Sequence, residues 1–167
     1  MAIDFSFPPD LEALRLKVRE FIDTIVRPIE DAMDEANRDS LVGGIIKMRK
    51  AAHEWGLWLP HMPKEWGGMG LGHVELAMVQ AEAAKAYYGP WVLNCQAPDV
   101  PNMIALQNCA TPEQKARWLQ PLLGAKTRSA FGMTEPDVAS SDATNIATRM
   151  VRNGDDYVIN GRKWFIT

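Results

Sequence analysis

The sequence predicts an α+β chain: an N-terminal all-α helical bundle over residues 1–127, then the start of a β-barrel-like middle domain over 128–167, cut short. Three observations carry this. Apolar residues recur every three or four positions through the first two thirds, the period drops to two after Lys126, and two Asn-Gly turn signals lie close together in that last part. At 167 residues, 47% of them hydrophobic and 23% charged, the chain has the composition of a packed globular protein and room for one domain plus the beginning of another.

From Asp10 onward, Leu11, Leu14, Val18, Phe21, Ile22, Ile25, Val26, Ile29 and Met33 form one apolar stripe of a long helix. Pro8, Pro9 and Asp10 suit its start, since proline fits the first turn and a carboxylate there offsets the dipole. A second helix is expected over Val42 to Trp55, ending near Gly56. Trp55 to Gly72, rich in Gly, Pro and Trp, reads as an irregular connection. A third helix covers His73 to Tyr87, stopping before Gly89-Pro90, and a shorter one Val100 to Cys109. Thr111-Pro112-Glu113-Gln114 combines an N-cap hydroxyl, proline at the first helical position and glutamine at the third, so a helix begins there. It should stop before Pro121, which lacks an N–H.

After the boundary near residue 127, Ile146, Thr148 and Met150 alternate with Ala147, Arg149 and Val151 as in a strand. Asn153-Gly154 and Asn160-Gly161 flank Tyr157-Val158-Ile159 as two tight turns, and Lys163 to Thr167 starts a further strand, giving a β-meander. Because nothing follows that strand-forming end, the chain reads as a fragment cut inside a sheet. No internal repeat is visible.

A net charge of −3 and a pI near 5.6 give no basic field for nucleic acid. No segment approaches the ~18 consecutive apolar residues of a membrane span, and Met1-Ala2-Ile3-Asp4 does not open a secretory leader. The expected location is the cytoplasm or another reducing compartment, organellar in a eukaryote. Cys95 and Cys109 read as packed small residues and His53, His61 and His73 as solvated or packing residues, since none has metal-ligand spacing. Tryptophans 55, 58, 66, 91, 118 and 164 read as core or interface anchors. Gly68-Met69-Gly70-Leu71-Gly72 follows no strand, so it reads as a turn and not a dinucleotide cradle.

The densest candidate for chemistry is Phe131-Gly132-Met133-Thr134-Glu135-Pro136-Asp137-Val138-Ala139-Ser140-Ser141-Asp142, at the junction of the two domains. A planar redox ring needs apolar walls and a few donors aimed at its heteroatoms. A phosphate needs hydroxyls and unpaired N–H groups, which a Ser-Ser turn offers. On spacing alone, a loop capped by Ser and Asp accounts for the pattern at least as well.

Met-Thr-Glu-Pro, a short loop, Ser-Asp, a strand, an Asn-Gly turn and Lys163-Trp164-Phe165-Ile166-Thr167 together resemble the flavin-binding signature of the acyl-CoA dehydrogenase family. Upstream, Gly56-Leu57 with Pro63-Lys64-Glu65-Trp66-Gly67-Gly68-Met69-Gly70 resembles the family's glycine-rich connection, and Thr111-Pro112-Glu113-Gln114-Lys115 the helix before its β domain. The resemblance runs over essentially the whole chain, in order. It implies FAD as cofactor, with Phe131, Met133 and Thr134 lining it and the Thr134 hydroxyl or N–H donating to the ring's redox-active edge. Ser141 matches the serine near the cofactor diphosphate and the substrate thioester. The loop is one residue longer than the commonest family pattern, which leaves Ser140 as the alternative. Phe165 matches an aromatic residue beside the ring, usually tryptophan, with Ile166 and Thr167 continuing the contact. Trp164 could replace that stacking, although strand alternation would point it to the other face.

The resemblance further implies α,β-desaturation of an acyl-CoA, an electron-transfer flavoprotein as acceptor, and a homo-oligomer at full length. The catalytic base belongs to a C-terminal domain outside these residues. Glu135 is therefore read as a loop hydrogen-bonding or ion-pairing residue, and no residue here as catalytic. The longer loop and Asn94-Cys95-Gln96-Ala97-Pro98-Asp99 look like the branch found in kinase-fused members, which points to a longer or substituted acyl chain. An oxidase or flavin monooxygenase of the same fold, or a helical binding module without redox function, are the rival readings.

Overall fold

The computed structural model describes residues 6–166. They fall into two compact units, one reaching to Thr127 and the other starting at Arg128. Helices make up the first and a two-stranded sheet lies in the second, in keeping with the α+β expectation.

In the helical unit α1 (Pro9–Phe21) runs through a π-helical turn (Ile22–Val26) into α2 (Arg27–Asp31). The predicted stripe is what it buries, for Leu11, Val18, Phe21, Ile22 and Val26 join the core and Leu14, Ile25, Ile29 and Met33 pack against it. The wide turn answers a problem set by Pro28. Without an N–H, proline cannot bond to the carbonyl four residues back, and its ring crowds it. Here the Arg27 N–H reaches the Ile22 carbonyl, five residues back, and the helix continues.

α3 (Arg38–Glu54) starts four residues before the expected Val42, because the Asn37 side chain accepts hydrogen bonds from the Asp39 and Ser40 amides and fixes the start. α4 (His73–Ala83) ends short of the expected Tyr87. A turn follows it, and Gly89-Pro90 opens the one-turn α5 (Gly89–Val92), where proline sits in the first turn and costs nothing. A Cβ on Gly89 would lie 1.9 Å from the Ala83 carbonyl oxygen, so only glycine permits that close return. α6 spans Asp99–Cys109.

The Thr111 capping box is complete: the Gln114 amide donates to the Thr111 hydroxyl, and the Thr111 amide to the Gln114 side chain. The helix it starts, α7 (Pro112–Gln114), does not stop before Pro121 as expected. It passes through a second π-helical turn (Lys115–Leu119), where the Gln120 N–H reaches the Lys115 carbonyl, and carries Pro121 inside α8 (Gln120–Leu123). The same device thus accommodates both helix-interior prolines. The last carbonyls of α8 are met by side chains, with Asn94 Nδ2 donating to Leu122 and Leu123 and Trp58 Nε1 to Leu123, each at 3.2 Å.

One buried carboxylate ties α1 to α4. Glu82 accepts from Arg15 Nη1 at 2.9 Å, Arg19 Nη2 at 3.0 Å and Lys85 Nζ at 2.6 Å. Burial raises its pKa, but the Arg19, Lys85 and Arg15 bonds prevail and hold it down to about 2.

In the second unit β1 (Arg149–Asn153) and β2 (Asp156–Asn160) pair antiparallel, with Arg149 opposite Asn160 and Asn153 opposite Asp156. Gly154, at φ +63°, opens the two-residue turn, a conformation glycine adopts without strain. Three expectations fail here. The strand begins at Arg149, not Ile146, because Asp142 caps a short 3₁₀ turn (Ala143–Asn145) through the Thr144 amide. Gly161 makes no tight turn; a Cβ there would meet the Thr148 hydroxyl at 2.1 Å, so close packing accounts for it. Finally, no third strand forms among the described residues and the meander reduces to one hairpin. Phe165, at φ +47°, breaks the extended run.

Candidate functional site

The segment Phe131–Ser141 and the segment after β2 meet within the second unit. The Trp164 N–H donates to the Thr134 carbonyl at 3.2 Å. Thr134 is half-buried, and its own N–H and hydroxyl have no partner among the described residues. Met133 is half-buried beside it, whereas Phe131, Phe165 and Ile166 are exposed, Phe165 by 82%. Thr167 lies outside the described residues.

The two aromatic neighbours depart from the sequence reading. In a strand Trp164 and Phe165 would point to opposite faces. With Phe165 in the left-handed region their rings instead lie 4.7 Å apart, tilted by 46°. Both are exposed, so Trp164 is not a core anchor, and neither is Trp118 in the helical unit.

The two serines are sharply different. Ser140 is buried and its hydroxyl accepts from the Glu135 amide at 2.7 Å, which closes the loop from Pro136 to Ala139. Ser141 faces solvent. Outside the loop, Arg162 Nη2 donates to both Asp137 carboxylate oxygens, at 3.0 and 3.1 Å.

Glu135 is a junction rather than a free acid. Its carboxylate accepts from the Ala147 amide at 2.7 Å, the Thr148 amide at 2.9 Å and Lys163 Nζ at 2.9 Å, and the same ammonium donates to the Met133 carbonyl at 3.0 Å. The Thr148 side chain, the Lys163 ammonium and the two amides hold its carboxyl down to about 2, against burial, which raises it. The Thr148 hydroxyl itself lacks hydrogen-bond geometry, so the ammonium and amides carry the effect. Such a group stays ionised and saturated with donors at neutral pH, which makes it unfit as a general base. Lys163 entered the sequence reading only as part of a motif. Its partners lie 28 and 30 residues away, and no local pattern signals them.

The glycine-rich connection is no phosphate cradle. The amides of Gly68, Met69, Gly70 and Leu71 all donate to carbonyls of Leu59 to Pro63, so four successive amides of the run are taken and cannot cradle an anion. His61 is half-buried, with both ring nitrogens shielded from solvent and lacking a partner among the described residues; desolvation pushes its pKa down to about 4. His53 stacks on Trp58. Cys95 is buried as expected, but Cys109 is exposed. Among the described residues no group of His, Cys, Asp and Glu could hold a metal, and no helix is long and apolar enough to cross a membrane.

A helical unit followed by a hairpin unit with this Thr134 loop is the arrangement found in the acyl-CoA dehydrogenase fold. A Mycobacterium abscessus protein assigned as an acyl-CoA dehydrogenase superposes with a TM-score of 0.85 at 41% identity, over 98% of this chain and 43% of that one. The model of the acyl-CoA dehydrogenase N-terminal domain matches residues 8–126, and that of the middle domain matches 130–167. The chain belongs to the acyl-CoA dehydrogenase family. It is 43% identical over 136 residues to human acyl-CoA dehydrogenase family member 11, covering 81% of this chain and 17% of that protein. With FadE2 of Mycobacterium tuberculosis, assigned as an acyl-CoA dehydrogenase, it shares 40% identity over 169 residues, covering 98% of this chain and 41% of that one. The chain thus spans less than half the length of these relatives.

Proposed function

We propose that these residues form the flavin-contacting part of an FAD-dependent acyl-CoA dehydrogenase that introduces an α,β double bond into an acyl-CoA thioester. The observation that carries this reading is the Trp164-to-Thr134 bond, which sets the two apolar segments side by side while leaving the Thr134 N–H and hydroxyl open. The residues fit the group. An isoalloxazine needs apolar cover and donors toward its heteroatoms; Phe131, Met133 and Phe165 offer the first and Thr134 the second.

When bound, FAD supplies the hydride acceptor. Thr134 donates toward the ring edge, where negative charge develops, and this pre-set donor needs no reorganisation. Phe131, Met133, Phe165 and Ile166 exclude water from the ring. Solvent-facing Ser141 is the better candidate for diphosphate or thioester contact, because the Ser140 hydroxyl is already occupied. The α proton goes to a carboxylate supplied from outside these residues, since the Glu135 oxygens are already filled by two amides and an ammonium. Electrons leave to an electron-transfer flavoprotein, and the full-length protein works as a homo-oligomer in a reducing compartment.

The full-length gene product, purified and freed of oxygen, tests this. It should carry a yellow chromophore that bleaches when an acyl-CoA is added. A colourless protein that takes up no FAD overturns the reading.

A further inference from the structure

Four stretches of the second unit meet at Glu135, three of them through bonds to its amide or carboxylate. Its own segment carries Met133 and Thr134. The loop beyond it folds back through Ser140, whose hydroxyl takes the Glu135 amide. The residues entering β1 present the Ala147 and Thr148 amides to its two oxygens. The residues leaving β2 present Lys163, whose ammonium spans the Glu135 carboxylate and the Met133 carbonyl. Glu135 and Ser140 are the buried residues of this unit among those described.

Resting on the flavin reading above, we infer that Lys163 and Glu135 are a positioning pair: their bonds fix the backbone from which Thr134, Trp164 and Phe165 meet the ring. Lys163 immediately precedes Trp164, and its reach to Met133 places Trp164 so that its amide finds the Thr134 carbonyl one residue on. The pair acts through backbone placement and touches no reacting atom. A bond to an ionised, buried partner is the kind that sets geometry firmly, being shorter and stronger than a neutral one. Replacing the lysine by a neutral chain leaves the Met133 carbonyl and one carboxylate oxygen short of a donor, and the Thr134 segment is then free to shift. The exposed Arg162–Asp137 pair joins the same two stretches but bonds neither Met133 nor Thr134, and provides the internal control.

The test uses the full-length holoprotein and three variants, Lys163→Met, Lys163→Arg and Arg162→Met, with FAD affinity and the flavin absorption spectrum as readouts and far-UV circular dichroism as the check on folding. Lys163→Met should weaken FAD binding at least tenfold and shift the visible bands while keeping the helical signal. Lys163→Arg, which keeps a cationic donor, should restore most of both, and Arg162→Met should change neither. A role confined to folding would lower the melting temperature without moving the bands. If the parent protein binds FAD and Lys163→Met matches it in affinity and spectrum, or if Arg162→Met perturbs both as strongly, the pair has no positioning role. A parent protein that binds no FAD brings down the flavin reading itself, and this inference with it. Should Lys163→Met fail to fold, Glu135→Gln, which keeps the side-chain shape but removes the charge, carries the same expectation and the same refutation.

Discussion

Every buried apolar side chain among the described residues belongs to the helical unit, whereas in the unit that starts at Arg128 the two buried residues are Glu135 and Ser140, both polar. Each residue of β1 and β2 is exposed, on both faces of the hairpin. Among the described residues the apolar burial therefore lies in the helical unit, and the hydrogen bonds that join the stretches of the β unit meet at Glu135. Such a unit leaves Phe131, Trp164, Phe165 and Ile166 uncovered, and uncovered apolar groups beside open donors are what a planar ligand requires.

The largest expected effect comes from the helical core. Phe21 is fully buried and packs against Trp55 at 5.6 Å, so Phe21→Ala should cost about 3–5 kcal/mol in urea unfolding. The exposed Val158→Ala should cost no more than about 0.5 kcal/mol. Equal losses would erase the contrast between the units. Next is Glu82→Gln, which strips a buried charge from three cations. Two of those are partly solvated, which screens the interaction and limits the loss to about 1–2 kcal/mol, read from the same curves.

Acid should act first on the helical unit. His61, with its folded pKa of about 4 below the ordinary 6.5, keeps its shielded ring nitrogens neutral while the unfolded chain takes up a proton. Its contribution is intact above pH 6.5 and declines as the pH falls toward 4. Glu82 and Glu135, held at about 2, contribute fully above the ordinary 4.5 and lose that contribution only between 4.5 and 2. Thermal melts from pH 7 to 5 should fall for the parent and flatten in His61→Phe; an unchanged slope would assign the acid limb elsewhere. At the capping box, Thr111→Ala should cost about 1 kcal/mol in the same urea curves.

What the sequence made legible follows the range of the forces involved. The first helix and the capping box could be read because their determinants lie within four residues of each other. The stop before Pro121 failed because a π-helical turn, which no composition signal announces, lets a proline sit inside a helix. The last strand failed at Phe165, whose left-handed backbone accompanies a contact between Trp164 and Thr134 thirty residues apart. Which of two adjacent serines is occupied depends on whether the Glu135 amide reaches back to it, a loop closure that spacing does not reveal. The motif singled out one stretch; its internal wiring became visible only in three dimensions.

The most direct test is a crystal structure of the full-length protein with FAD. The flavin reading predicts the isoalloxazine against Phe131, Met133 and Phe165, with the Thr134 N–H or hydroxyl about 3 Å from a ring heteroatom. A ring bound elsewhere, or Thr134 turned away from it, would contradict that reading.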